Sequence, residues 1–486
     1  MSLVEPILPW RCTKIVATLG PACSDPDTLF ALMQAGMNVA RINGSHGDHA
    51  THAKTIALVR AQAARLGRPI GILFDLQGPK IRIGRFAHPP REVAMGDLFS
   101  LAVGRPAEGD ELPTDYPFLD RDVQVGQPLL INDGALASTV VAVRPGLVQC
   151  RALNPGRIEQ RKGINLPEST VSAPAITDKD SVDARFAVAQ QVDMIALSFV
   201  RRAADIEALK TLMRAAGREL PVIAKIEKPQ ALTYLDEILK ASWGVMVARG
   251  DLGVELSPAD VPMAQKRIIQ AANQMGKPVI TATQMLDSMT HNPRPTRAEA
   301  SDVANAVLDG SDAVMLSQET AMGTYPVQTV ATMVEIIQAT EAARLPNPVS
   351  QARVSRDLPN DDIPAAVARA GCDTARRLKA RAIVTLTETG RMALLAAQER
   401  PAVPILAFAR DARVQHCLTL LWGVRAFLAV ASDSTQEQVR ALDQVLLHND
   451  LAAPGDRLVL LVGKPGAPTG STNLMMVHRV GAADGV

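Results

Sequence analysis

At 486 residues the chain exceeds what one hydrophobic core serves, so two or three domains are expected. Its 51 basic and 50 acidic residues leave a formal charge of +1, which offers no general field for nucleic acid or an anionic membrane, and 3% aromatic residues remove the stacking platforms of a single-strand binder. The five cysteines are scattered without a CxxC pair, the N-terminus lacks a basic-then-apolar signal layout and no run of eighteen apolar residues occurs, so a cytoplasmic protein with no nucleic-acid or membrane partner is expected.

From Lys14 onward short apolar runs end in Gly or polar residues and are followed by longer helix-periodic stretches such as 205–216, 263–275 and 327–342. The runs are 14–19, 37–42, 69–74, 194–200, 222–226, 245–247, 279–283 and 313–316. Eight such units close a parallel (β/α)8 TIM barrel, a fold whose chemistry sits where the strands end. The expected catalytic domain therefore covers 1–80 and 163–345.

Between the third and fourth runs lies a stretch too long for one helix, dense in Gly, Pro and short β-like runs, with a turn signal at Asn132-Asp-Gly134. It reads as an inserted β domain over 81–162, placed as a lid over the barrel mouth. Thr177 and Asp180 then have capping-box spacing where the barrel resumes. Past Ala343 the Pro-rich segment Leu345-Pro-Asn-Pro348 begins a linker to a C-terminal α/β domain, 346–486, whose strand candidates 382–387, 404–408, 424–430 and 457–462 suggest a small open parallel sheet.

The barrel's organising stretch is Val222-Ile-Ala-Lys-Ile-Glu-Lys228 with Gly244-Val-Met-Val-Ala-Arg-Gly-Asp251, two apolar runs that break into charge. Lys225, Glu227 and Asp251 would stand together at the mouth. Two acids can hold a divalent cation while a fixed ammonium neutralises a transferring phosphoryl group. A salt bridge between ordinary strands would give the same residues, but polar ends recur at all eight runs, among them Arg41-Ile-Asn43, Asp75, Ser198 and Thr283-Gln284, and point to one shared pocket.

The chain resembles pyruvate kinase over nearly its whole length. The matching motifs are Lys14 to Pro21, Met37-Asn-Val-Ala-Arg-Ile-Asn43 with Ser45-His46-Gly47, Lys162-Gly-Ile-Asn-Leu-Pro167, Ala224-Lys-Ile-Glu-Lys-Pro-Gln230, Met246-Val-Ala-Arg-Gly-Asp-Leu-Gly253, Thr281-Ala-Thr-Gln-Met-Leu286 and Asn292-Pro-Arg-Pro-Thr-Arg-Ala-Glu299. The resemblance implies phosphoryl transfer from phosphoenolpyruvate to ADP, giving pyruvate and ATP in glycolysis.

By the same resemblance Glu227 and Asp251 match ligands of Mg2+ or Mn2+, Lys225 and Arg41 match cations on the phosphoryl group, and Thr283 matches the residue beside the carbon that gains a proton. Ser198 and the backbone of Gly250 and Asp251 fall at the substrate, and Asn43, His46, Arg82 and Lys162 surround the nucleotide. No G-x-x-x-x-G-K-[ST] stretch is present, so side chains and metal would hold the phosphates of ADP. His46, His49 and His52 share a three-residue spacing that fans them around a helix instead of converging them on a metal. An aldolase or lyase acting on a pyruvate enolate remains the alternative at this point, since it would share the carboxylates and the arginine.

The chain departs from the commoner family pattern at Asp75-Leu-Gln-Gly-Pro-Lys80, where Lys80 replaces a glutamate. With Asn43, Ser45 and Asp75 this region holds K+ in potassium-dependent members, and a tethered ammonium can do similar electrostatic work, so independence from K+ is expected. Gly44 and Gln318 are smaller departures. In the C-terminal domain Thr387-Glu388-Thr389-Gly390-Arg391 and Lys464 match a loop and a Gly-rich segment that cradle a phosphorylated effector, and the resemblance also implies a homotetramer.

Overall fold

The computed structural model describes residues 11–169, 171–343, 362–429, 435–463 and 472–482. Eight strands, Lys14–Thr18, Val39–Asn43, Gly71–Asp75, Met194–Leu197, Val222–Ile226, Gly244–Ala248, Val279–Ala282 and Ala313–Leu316, pair in parallel and close into a barrel. Their near-continuous apolar runs follow from burial on both faces, side chains alternating between the barrel interior and the helix layer. Val16, Leu73, Ile223, Met246, Ile280 and Met315 fill the interior.

Helix starts fix where each strand end stops. Asp25 accepts from the Thr28 N–H at 2.8 Å and Asp48 from Thr51 at 2.8 Å. Thr177 and Asp180 form the expected capping box, and the second Asp180 oxygen accepts from the Gly78 N–H at 3.0 Å, which ties the resumed barrel to the loop after the third strand.

The long insertion builds its own sheet, in the order Ile164–Asn165, Pro128–Ile131, Leu136–Arg144, Leu147–Ala152, Leu98–Ala102, Leu112–Pro113, beside a two-stranded ribbon of Arg91–Val93 and Gly156–Ile158. Phe99, Leu129, Ile131, Cys150 and Ile158 belong to its separate core. Asn132, Asp133 and Gly134 all take positive φ, 56°, 52° and 86°, the geometry that a tight hairpin demands of Asn, Asp and Gly.

The C-terminal sheet runs Val424–Leu428, Ile405–Ala409, Ala382–Thr387, Arg457–Gly463, Thr472–Arg479. The four expected strands pair in parallel, and a fifth that was not expected, Thr472–Arg479, pairs antiparallel with Arg457–Gly463. It lies at the edge and leaves Leu474, Met475 and Val477 exposed, so it lacks the buried run that marks the three inner strands. This unit also closes the barrel floor. Leu420 enters the barrel interior, and buried Lys14 donates to the Val424 carbonyl at 2.7 Å.

Candidate active site

Lys225 leaves the strand Val222–Ile226 at the mouth and is 9% exposed. Its Nζ lies 2.8 Å from Glu227 Oε1 and 3.3 Å from Asp75 Oδ1, and donates to Ser198 Oγ at 2.7 Å. Ser198 in turn donates to the Leu76 carbonyl at 2.7 Å, so three successive barrel units fix one ammonium. Arg41 sits across Asp75, with Nε and Nη2 each 2.7 Å from Oδ2, and its Nη1 donates to Thr18 Oγ1 at 2.9 Å.

The electrostatics divide the two buried acids. Burial alone would raise Asp75, but Lys225 and Arg41 outweigh it and hold this carboxyl below the ordinary range. Burial pushes Glu227 upward, the charge of Asp251 adds to the push, and Lys225 with the Phe199 N–H only partly opposes it. Burial also works against the charge of Lys225, yet Asp75 and Glu227 hold its ammonium well above the usual lysine value. Glu227 therefore sits where one more positive charge would relieve it.

Glu227 Oε1 and Asp75 Oδ1 are buried and, among the described residues, are met by no donor other than the Lys225 ammonium that they share. A buried carboxylate with one shared donor, further loaded by the charge of Asp251, would fit a hard divalent cation held by Glu227 and Asp251. Among the described residues no three His, Cys, Asp or Glu side chains gather as a ligand set, and two carboxylates with substrate oxygens completing the shell is the habit of Mg2+.

Thr283 follows the strand Val279–Ala282 with φ of 70°, and Gln284 with 51°, a costly conformation for a β-branched residue. Its Oγ1 donates to the Ala282 carbonyl at 2.7 Å and accepts the Gly250 N–H at 2.7 Å. The Gly250 amide expected at the substrate is thus engaged by Thr283, at the start of the short helix Arg249–Glu255. Sequence reasoning missed Arg249, whose guanidinium donates to the Thr283 carbonyl at 2.6 Å and to Asp302 at 2.6 Å, clamping the strained turn. The signal was its place in the polar end Arg249-Gly-Asp251.

The remaining candidates separate into groups. Asn43 Oδ1 accepts the Ser45 N–H at 3.1 Å, and exposed His46 donates its N–H to the Asn43 carbonyl at 3.3 Å. Gly44 has a steric role: an added Cβ would meet the Asp75 carbonyl at 2.9 Å. Arg82 and Lys162 lie together where the insertion joins the barrel; Arg82 donates to the Arg161 carbonyl at 2.9 Å and Lys162 pairs with Glu159 at 3.5 Å. Lys80 reaches toward Asp133 at 3.9 Å, while the charges that set Asp75 come from Lys225 and Arg41. His49 binds Asp183 at 2.8 Å and stacks on Phe186, and His52 packs edge-on against Phe74, so the three histidines do not converge. Glu319 is buried and accepts from the Ser317 N–H at 2.6 Å, a helix-start carboxylate.

In the C-terminal unit Thr387 Oγ1 accepts the Gly390 N–H at 2.9 Å and Thr389 Oγ1 that of Arg391 at 3.4 Å. Arg391 pairs with Asp362 at 2.9 Å and Glu388 with Arg410 at 3.3 Å, while Lys464 lies outside the described residues.

The family description "Pyruvate kinase, barrel domain" matches residues 10–330, and "Pyruvate kinase, alpha/beta domain" matches 365–478. The chain belongs to the pyruvate kinase family. It is 45% identical over 478 residues to a pyruvate kinase of Mycobacterium intracellulare, covering 98% of this chain and 99% of that one, and 44% identical over 474 residues to one of Corynebacterium efficiens, covering 97% and 98%. Among solved structures, a pyruvate kinase from Cryptosporidium parvum superposes with a TM-score of 0.91 at 36% identity, covering 97% of this chain and 96% of that one. The chain is thus a phosphotransferase of phosphoenolpyruvate and ADP in a Mg2+-dependent family, and the aldolase alternative is not favoured.

Proposed function

We propose the following division of labour at this pyruvate kinase site. Lys225 and Arg41 bear on the phosphoryl group as it leaves the enol oxygen of phosphoenolpyruvate and bonds to the terminal phosphate oxygen of ADP. Glu227 and Asp251 hold the divalent ion, which when bound supplies positive charge to the phosphoryl oxygens. Ser198 fixes Lys225, and Gly250, Asp251 and Thr283 flank the substrate. The enolate left behind takes a proton at its terminal carbon. A threonine hydroxyl is too weak an acid to be the sole donor, so Thr283 orients the water that delivers it. Asn43, His46, Arg82 and Lys162 surround the nucleotide. The observation that carries this reading is the buried Lys225 ammonium among Asp75, Glu227 and Ser198, the one donor that two buried carboxylate oxygens share.

Lys80 takes the place of the monovalent cation near Asn43, Ser45 and Asp75, so Mg2+ suffices and K+ is not required; its pairing with Asp133 is long, at 3.9 Å, and leaves the side chain 29% exposed. The loop Thr387–Arg391 with Lys464 receives a phosphorylated effector. The separate cores of barrel, insertion and C-terminal sheet support a division at 1–80 with 163–345, 81–162, and 346–486. The exposed apolar edge strand supports a homotetramer, and five free cysteines support a cytoplasmic, reducing location.

The test is pyruvate formation from phosphoenolpyruvate and ADP with Mg2+ in K+-free buffer. Full activity is expected without K+; activity only after K+ is added discards the role given to Lys80 and keeps the kinase.

A further inference from the structure

The short helix Arg249–Glu255 carries Asp251 in its first turn and holds two glycines, Gly250 and Gly253, among its seven residues. Glycine is a poor helix former and one or two turns do not hold themselves, so this helix takes its place from whatever grips its ends. At its start Thr283 Oγ1 accepts the Gly250 N–H, and the Arg249 guanidinium holds the Thr283 carbonyl. At its end the grip is Glu255, whose side chain is 1% exposed.

Two donors from different parts of the chain meet Glu255 Oε1. Lys228 forms a close ion pair with it from the loop after the strand Val222–Ile226, and Asn165 Nδ2 donates at 3.0 Å from the strand Ile164–Asn165 of the insertion. Lys228 follows Glu227 in the chain. Its Nζ lies 5.9 Å from the centre of the Phe199 ring, and the Phe199 N–H donates to Glu227 Oε2 at 2.6 Å. The Lys228–Glu255 pair therefore ties the segment that carries one acid of the mouth to the helix that carries the other. Glu255 Oε2 and Asn165 Oδ1 are buried with no hydrogen-bond partner among the described residues, open valences that a purely structural pair is expected to fill.

We infer that Lys228 and Glu255 are positioning residues for the divalent ion: their ion pair sets the spacing of Glu227 and Asp251, so loss of either partner weakens metal binding. The inference rests on the assignment of the ion to Glu227 and Asp251. Both residues act through the carboxylates that they place, which gives the test its sign. A field effect alone would make Glu255→Gln bind a cation more weakly and Lys228→Met bind it more tightly. Lost positioning weakens both.

The measurement is Mn2+ binding to the full chain without substrate, read from the electron paramagnetic resonance signal of the free ion. Glu255→Gln and Lys228→Met are each expected to raise the dissociation constant about tenfold or more. The double variant Lys228→Met with Glu255→Gln keeps the net charge and leaves no buried charge unpaired, so it carries the test if a single variant fails to fold. It is expected to bind about tenfold more weakly than the wild type, well short of the product of the two single losses, because the pair acts as a unit. Wild-type Mn2+ affinity in the double variant, or tighter binding by Lys228→Met, overturns the inference, whatever the variants lose in resistance to urea. Glu227→Gln is the control and should lose Mn2+ binding. If it binds Mn2+ like the wild type, the assignment of the ion fails and this inference falls with it; if it loses binding while the double variant keeps it, only the positioning pair is discarded.

Discussion

Two buried charge clusters occupy opposite ends of the same barrel, and their difference lies in satisfaction. At the floor, Asp193 is 1% exposed; one oxygen accepts from Arg60 at 2.8 Å and from the Ile72 N–H at 2.7 Å, and the other faces His416 at 3.2 Å. At the mouth, Asp75 and Glu227 are equally buried, yet one oxygen of each has only the shared Lys225 ammonium as donor among the described residues. A buried polar network that completes its valences fixes structure, while one that leaves valences open retains binding capacity at a cost in stability. The contrast also separates their neighbours: the floor joins two domains of the chain, and the mouth presents its charge to a ligand.

The largest effect is expected from emptying the mouth. Lys225→Met removes the ammonium that bears on the phosphoryl group, and kcat should fall about a thousandfold or more, with the far-UV circular dichroism spectrum unchanged. Retained turnover would place the phosphoryl group elsewhere. At the floor the expected loss is of stability instead. Asp193→Asn leaves Arg60 and His416 without their carboxylate, and urea unfolding should show about 3 kcal/mol lost, whereas kcat of the folded enzyme stays near the wild-type value. If Asp193→Asn lowered kcat as severely as Lys225→Met, the separation of the two clusters would fail.

The mouth was far more legible in the sequence than the floor. Each barrel strand carries a continuous apolar run because both faces are buried, and each run breaks into polar residues where the strand meets the pocket, so Arg41, Asp75, Ser198, Lys225 and Thr283 mark themselves locally. Arg249 stood in plain view in such a break, but its role depends on the carbonyl of Thr283, 34 positions away. The floor carries no local mark. Asp193 and His416 are 223 positions apart and meet only once the C-terminal unit has docked, and Asp193 looks like the polar flank of any strand. Lys80 was legible as a substitution, but the direction of a long flexible side chain is set by what surrounds it, here Asp133 of the insertion.

Lys14 sharpens the comparison further, because at this floor cation burial outweighs the nearby acid Glu341. Burial, reinforced by the nearby charge of Arg11, pushes its ammonium down to about 7, although Nζ donates to the Val424 carbonyl at 2.7 Å. A lysine whose folded value lies below its ordinary 10.5 resists protonation in the folded state, so the unfolded chain binds more protons between those limits. Stability from this residue therefore rises as pH increases from about 7 toward 10.5, and below about 7 the penalty is complete and constant. Lys14→Met removes the titration and keeps the stem's apolar packing. Its unfolding free energy should rise less steeply with pH over that window, by up to about 1.4 kcal/mol per pH unit, with the smallest effect on turnover of the three substitutions. Equal slopes in wild type and variant would mean that Lys14 stays charged at the floor, leaving the two ends of the barrel alike in how they hold a lysine.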